Sequence, residues 1–258
     1  MQTPGGINAI LTIEHCGFAA LPPEHNVEDG PWILRMAGGL AKRANSANPR
    51  APGAELDPAQ LDRIETFYRR AGLAPIVRIT PLAAPSADAL LAARGYRMAD
   101  SSLVMTARLA PAPALAASLP DGIALSTDTT IPDTWHDAFA QFDGLSAHGR
   151  ATRRAMLDAL DRPHAAITLR DAEETIVGIG LAVRDGTHVG LFDVRVASAA
   201  RGRGLGRVLT AAMLGWARTH GSAHAYLQVS ADNAPAIGLY RSLGFADAYP
   251  YHYRVAPA

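Results

Sequence analysis

Three glycines, Gly202, Gly204 and Gly206, alternate with Arg201, Arg203 and Arg207, directly after an apolar run that ends Val194-Arg195-Val196. Glycine lets a backbone turn tightly and approach a ligand, because no Cβ intervenes. A helix that starts at Leu205 presents unpaired N–H groups and the positive end of its dipole. The arginines add charge where those donors gather. Together they make a strand-to-helix cradle for a pyrophosphate. A dinucleotide fingerprint would need its third glycine at 207, which is Arg207. A nucleoside-triphosphate loop would need Gly-Lys followed by Ser or Thr, which this segment lacks. The spacing that is met is Arg-x-x-Gly-x-Gly, over Arg201, Gly204 and Gly206.

A second constellation follows downstream. Asn233 opens the run Asn-Ala-Pro-Ala-Ile-Gly-Leu-Tyr-Arg-Ser-Leu-Gly-Phe, with Asn233, Ala236, Leu239, Tyr240, Gly244 and Phe245 in one register. The two segments together resemble the GNAT acyltransferase superfamily. That resemblance implies an acetyl-CoA-dependent transfer to an amine, by direct attack in a ternary complex, on a fold whose central strands splay around the cofactor. It implies that the loop Arg201, Gly202, Arg203, Gly204, Leu205, Gly206 and Arg207 takes the pyrophosphate. The backbone of Val194, Arg195 and Val196 would bond the pantetheine and the acetyl carbonyl. Asn233 would orient the cofactor, and Tyr240 would protonate the departing thiolate. The other reading of Tyr240 is a core aromatic of an amphipathic helix. No covalent intermediate is needed, so Cys16 is read as a lone buried thiol. For the general base, Asp193 is the nearest carboxylate in sequence and is equally readable as a hydrogen-bonded strand residue. His188, His224 and a water relay are the alternatives. No metal site is expected.

These residues need elements to hold them. The C-terminal part reads as a strand at 123–127, helices at 133–142 and 150–160, and meander strands at 165–169, 176–183 and 189–196. A helix from Leu205 follows, closed by His220-Gly221, then a strand at 226–229, a helix at 234–243 and a strand at 248–255. The expected fold class is α/β, a mixed central sheet with flanking helices. The N-terminal part repeats the plan, with strands at 32–36, 76–79 and 103–109 and helices at 56–70 and 87–93. Leu90-Leu91-Ala92-Ala93-Arg94-Gly95-Tyr96 matches Leu239-Tyr240-Arg241-Ser242-Leu243-Gly244-Phe245 in form, which points to two tandem copies. An Ala/Pro linker at 111–120 would divide a domain at 1–110 from a catalytic one at 121–258. In the first copy Leu91 stands where Tyr240 stands, and the counterpart of the glycine loop, 48–57, carries one glycine and two prolines. The N-terminal copy therefore reads as degenerate, a wall for the acceptor pocket. Lys42-Arg43-Ala44-Asn45-Ser46 is read as an exposed basic turn or a site for a substrate carboxylate. Tyr249, Tyr251 and Tyr253 share one strand face, as core packing or as a pocket lining.

Composition narrows the partners. Across 258 residues, 24 basic and 24 acidic side chains cancel, leaving no electrostatic footprint for nucleic acid or an anionic membrane. One cysteine makes neither a disulfide nor a Cys-rich zinc site. The start has no basic segment and no long apolar run, so a cytoplasmic protein is expected. The expected acceptor is a primary amine of a small metabolite or amino acid, with glutamate as a loose special case. A protein N-terminus or lysine, or a non-catalytic acyl-CoA sensor, are the alternatives. A homodimer is the base-rate expectation.

Overall fold

The structure, a computed structural model, describes residues 6–109 and 119–257. Most of the Ala/Pro linker expected at 111–120 lies outside them. In chain order the elements are α1 (Gly6–Ala19), β1 (His25–Asp29), β2 (Trp32–Met36), β3 (Ser46–Pro49), α2 (Pro58–Arg70), β4 (Ile76–Ile79), α3 (Pro85–Ala93) and β5 (Arg97–Arg108). There follow β6 (Ala124–Asp128), α4 (Asp133–Phe142), α5 (Ala147–Asp158), β7 (His164–Arg170), β8 (Ile176–Asp185) and β9 (His188–Val196). The last are α6 (Leu205–Thr219), β10 (His224–Ser230), α7 (Ala234–Ser242) and β11 (Ala246–Val255).

Two compact units emerge. The first holds residues 6–104, 229–233 and 247–257, and the second holds 105–109, 119–228 and 234–246. This differs from a single cut in the chain at 111–120. The physical reason is β11, whose residues 252–255 pair antiparallel with β4, Tyr253 opposite Arg78.

Each unit builds a mixed sheet on one plan. In the first, β1, β2 and β3 run antiparallel, and β3 then lies parallel to β4 with Ala47 opposite Val77. In the second, β6, β7, β8 and β9 form an antiparallel meander, and β9 lies parallel to β10. A parallel pair requires a crossover connection, which α2 supplies in the first unit and α6 in the second. The repeated helix ends share a left-handed glycine and a closing bond. Gly95 and Gly244 sit at φ 83° and 91°. The Tyr96 N–H donates to the Leu91 carbonyl at 3.0 Å, and the Phe245 N–H to the Tyr240 carbonyl at 3.1 Å.

The crossover helices earn their places through their apolar faces. Leu61, Ile64 and Tyr68 of α2 are fully buried in a core with Trp32, Leu34 and Val77. On α6, Leu205, Val208, Leu209, Met213 and Trp216 are buried. Glycines on the strand beneath let that helix lie close: a Cβ on Gly178 would stand 3.2 Å from Leu209 Cδ1, and one on Gly180 3.1 Å from Met213 Sδ.

Three elements escape the sequence pattern. In α1 the buried face includes Glu14, paired with buried Arg78, so a charge interrupts the apolar periodicity. Strand β3 is polar yet wholly buried, because Ser46 and Asn48 hydrogen-bond within it. Strand β1 is charged and exposed. The alternation in Tyr249, Tyr251 and Tyr253 is core packing. All three are buried, Tyr249 Oη donates to Glu14 at 2.7 Å, and Arg78 lies 3.9 Å over the Tyr251 ring.

Gly190 provides a stability test within β9. A Cβ there would fall 2.4 Å from the Phe192 ring and 2.6 Å from Tyr226 Oη, two rings packed edge to face. Gly190→Ala is expected to destabilise the fold by about 1–3 kcal/mol, read as a lower urea midpoint at unchanged slope.

Candidate active site

The glycine-rich loop of the second unit has the geometry of an anion cradle. Gly202 and Gly204 adopt φ 79° and 76°, a left-handed backbone that a side chain would strain. Gly204 is the residue that caps α6, and it has no side chain to satisfy the first turn. The N–H groups of Arg207 and Val208 turn back to the Gly204 carbonyl, at 3.0 and 3.2 Å. Those of Gly202, Arg203, Gly204, Leu205 and Gly206 have no hydrogen-bond partner among the described residues. Residues 201–204 are exposed, Gly206 is half-buried and Leu205 is buried.

The glycines and arginines of this loop do not share one job. A Cβ on Gly206 would lie 3.3 Å from Leu239 Cδ2, so this glycine allows α7 to approach α6. Arg207 Nη2 donates to Ser242 Oγ at 2.6 Å and ties the same two helices. Arg201 and Arg203 have no ion-pair partner among the described residues and are exposed.

The strand leading into the loop is open on one side. The parallel ladder between β9 and β10 runs from His188–His224 to Leu191–Leu227 and stops. Beyond it, β9 continues through Val194, Arg195 and Val196, paired only with β8. On that other side the register slips: Ile179 faces Arg195 while Leu181 faces Phe192, so Asp193 and Val194 stand opposite the single Gly180. Asp193 sits at φ 54° in this bulge. Arg195 leaves the strand to clasp Asp143 with Nε and Nη2, at 2.7 and 3.1 Å.

Tyr240, on α7, is buried and packs against Phe245 with ring centroids 5.9 Å apart. Burial raises its phenol above the ordinary value, while the nearby Arg195 charge works the other way. Asn233 stands exposed directly before α7, its N–H on the Ser230 carbonyl at 3.1 Å, and it falls within the first unit.

The candidate bases fare differently from expectation. The Asp193 carboxylate forms an ion pair with Arg153, and both side chains are buried. His188 and His224 stack on each other at 5.0 Å, where the β9–β10 ladder begins. Six residues of strand separate His188 from Val194, about 20 Å at the usual rise, so neither imidazole serves the open segment. Cys16 is buried in the first unit. Asn45, expected in a basic turn, is buried and binds the Ala37 and Gly39 N–H groups, both at 2.8 Å. Lys42 is held by Asp100.

Residues that sequence reasoning missed lie on α4 and α5. His136, Phe139, Leu145, Arg150, Arg153 and Arg154 line a cavity of about 260 Å³ between these helices. Burial, and after it the Arg154 charge, lower the His136 imidazole below its ordinary value. A lone histidine on an amphipathic helix carries no spacing signal. Among the described residues, no cluster of His, Cys, Asp and Glu is suited to a metal ion, and no helix is long and apolar enough to cross a membrane.

The first unit shows the same plan closed. Its crossover helix α2 begins with Pro58, which has no N–H, and the Asp57 carboxylate accepts from the Gln60 N–H at 2.7 Å. Past the parallel pair, Ala54 bridges to the β4–α3 connection: the Ala54 N–H meets the Leu82 carbonyl and the Ala84 N–H the Ala54 carbonyl, both at 2.8 Å. Leu91 is fully buried where the other plan has Tyr240.

Comparison with known proteins agrees with this geometry. The family model described as "Probable histone acetyltransferase Rv0428c C-terminal" matches residues 8–254. The protein named "Uncharacterized N-acetyltransferase YobR" of Bacillus subtilis (strain 168) is 28% identical over 247 residues, 95% of this chain and 98% of that one. A mycothiol acetyltransferase of Clavibacter michiganensis subsp. michiganensis is 31% identical over 241 residues, covering 86% of this chain and 79% of the relative. A solved tandem GNAT protein from the clavulanic acid biosynthesis pathway shares the fold, with a TM-score of 0.68 at 18% identity, over 95% of this chain and 88% of that one. The chain is an acetyltransferase of this family and belongs, with it, to the GNAT superfamily.

Proposed function

We propose that the second unit transfers an acetyl group from acetyl-CoA to the primary amine of a small metabolite or amino acid, and that the first unit is a degenerate copy without acetyl-CoA. One observation carries this reading: the β9–β10 ladder ends at Leu191–Leu227, just ahead of a loop whose N–H groups are unpaired. Such an edge followed by such a loop suits an extended arm ending in a pyrophosphate. The relative named for mycothiol favours a small acceptor.

Acetyl-CoA supplies the activated thioester. The N–H groups from Gly202 to Gly206 hold its pyrophosphate, and Arg201 and Arg203 add charge. The open backbone edge of Val194, Arg195 and Val196 bonds the pantetheine arm and polarises the acetyl carbonyl. The amine nitrogen attacks that carbon directly, the C–N bond forms and the C–S bond breaks. Tyr240 gives its proton to the departing thiolate, and Asn233 orients the arm. With Asp193 engaged by Arg153, water carries away the ammonium proton.

The test is calorimetric titration with acetyl-CoA, followed by a thiol-release screen over amines, amino acids and a lysine-bearing histone-tail peptide. Binding at one site per chain with release for a small amine is the expected result. Release for the peptide alone overturns the acceptor class, release for none of them moves the reading to an acyl-CoA sensor, and no binding overturns the loop assignment.

Two variants examine the roles. Gly204→Asp places a carboxylate and a strained φ in the cradle, and is expected to weaken acetyl-CoA binding about tenfold or more, since 1.4 kcal/mol is already tenfold. Tyr240→Phe is expected to lower kcat by about a hundredfold with acetyl-CoA affinity unchanged. A general acid works while protonated, and burial raises this phenol above its ordinary value. The wild-type kcat is therefore expected to have an alkaline falling limb displaced upward from that of an ordinary phenol, and that limb disappears in the phenylalanine variant.

A further inference from the structure

We propose that Arg153 and Asp193 form a positioning pair that holds the edge of β9 open, so that Asp193 serves acyl-CoA binding through backbone shape. The inference rests on the reading that acetyl-CoA lies along Val194–Val196. Asp193 is one of three non-glycine residues with positive φ among the described residues. A left-handed residue inside a strand is unfavourable for any side chain, although Asp tolerates it better than most. Here it coincides with the bulge that sets Asp193 and Val194 against Gly180. A bulge bends its strand and increases the local twist. The bend lies two residues past the last β9–β10 pair, Leu191–Leu227. The strand thus turns away from its parallel neighbour where the open edge begins.

The pair has the build of a clamp. Arg153 reaches from α5 and donates through Nη2 to Asp193 Oδ2. The two side chains are 8% and 6% exposed. Burying two charges is costly unless their geometry is well fixed, and here it is fixed from a second side. The Arg153 guanidinium lies 4.8 Å over the Phe139 ring, which itself stacks on Trp135 at 5.9 Å and 8°. With α4 and α5 holding the cation, the carboxylate is drawn to one place, and the left-handed backbone at Asp193 is the conformation that delivers it there.

Removing one partner alone strands a buried charge, so the test uses paired changes. Arg153→Met with Asp193→Ala removes the clamp and disfavours positive φ. Arg153→Met with Asp193→Gly removes the clamp and keeps that conformation accessible. Two readouts are taken: hydrogen exchange of the amides at 193–196 in the free protein, and acetyl-CoA binding with kcat. The alanine pair is expected to slow exchange at these amides, to raise the acetyl-CoA Kd about tenfold, the scale of one residue's backbone strain, and to lower kcat, because the same edge polarises the acetyl carbonyl. The glycine pair is expected to recover fast exchange and most of the affinity, and Arg153→Met with Asp193→Asn to stay within about threefold of wild type, since Asn also accepts positive φ.

Identical exchange in wild type, alanine pair and glycine pair overturns the clamp, whatever acetyl-CoA does. Loss of kcat in all three variants at unchanged Kd, with a shifted pH profile, overturns it in favour of Asp193 as the base. Should wild type fail to bind acetyl-CoA while exchange follows the expected pattern, the functional reading falls and the clamp stands. Should the alanine pair fail to fold, the asparagine and glycine pairs decide the matter.

Discussion

The second unit depends on how closely α6 can lie on β8. Leu209 and Met213 rest where Cβ atoms of Gly178 and Gly180 would be, 3.2 and 3.1 Å away. Larger residues on that strand would push the helix outward, and its N-terminus would move with it. That N-terminus is the anion cradle, so a packing constraint beneath the helix sets the position of donors at its end. The same Gly180 faces the two bulged residues of β9. One small residue thus lies between the helix that presents the loop and the strand that presents the open edge.

The two units show how little local chemistry separates an open plan from a closed one. Both have a parallel pair, a crossover helix and a second helix ending in a left-handed glycine. In the first unit a carboxylate caps the crossover helix, and Ala54 stitches the chain across the mouth of the pair. The proline and the carboxylate cap leave fewer donors there for an anion. In the second unit the cap is a glycine, which leaves donors unspent, and a bulge takes the place of the stitch. Closing a gap this way is a matter of backbone hydrogen bonds rather than of side-chain size.

Much of this was legible in the residues, because it was written locally. The spacing Arg201, Gly204, Gly206 marks a turn into a helix, and the apolar periodicity from Leu205 marks the helix. Strands β2 and β4 and helix α4 fall where their patterns place them. Elements that bury polar side chains against specific partners were not legible. Glu14 on α1 makes sense only beside Arg78, and Ser46 and Asn48 of β3 only in their buried hydrogen bonds. The assignment of Asp193 shows the same limit. Nearness in sequence to the open strand made it a candidate base, but its chemistry is set by Arg153, which sits 40 residues earlier in the chain.

Asp193 and Arg207 share a lesson about charge at this site. Each is a charged residue next to the proposed chemistry, and each has its charge committed to structure, one to Arg153 and the other to Ser242 on α7. The Asp193 pair is buried, so parting it would leave a charge with little water to compensate, whereas Arg207 is exposed and uses one donor on Ser242. Arg201 and Arg203 have no such commitment and face solvent beside the unpaired N–H groups. Within one loop the arginines therefore divide: those at 201 and 203 remain available to an incoming anion, while Arg207 holds together the two helices between which the loop and Tyr240 are arranged. The second role is what gives the first a fixed place to act.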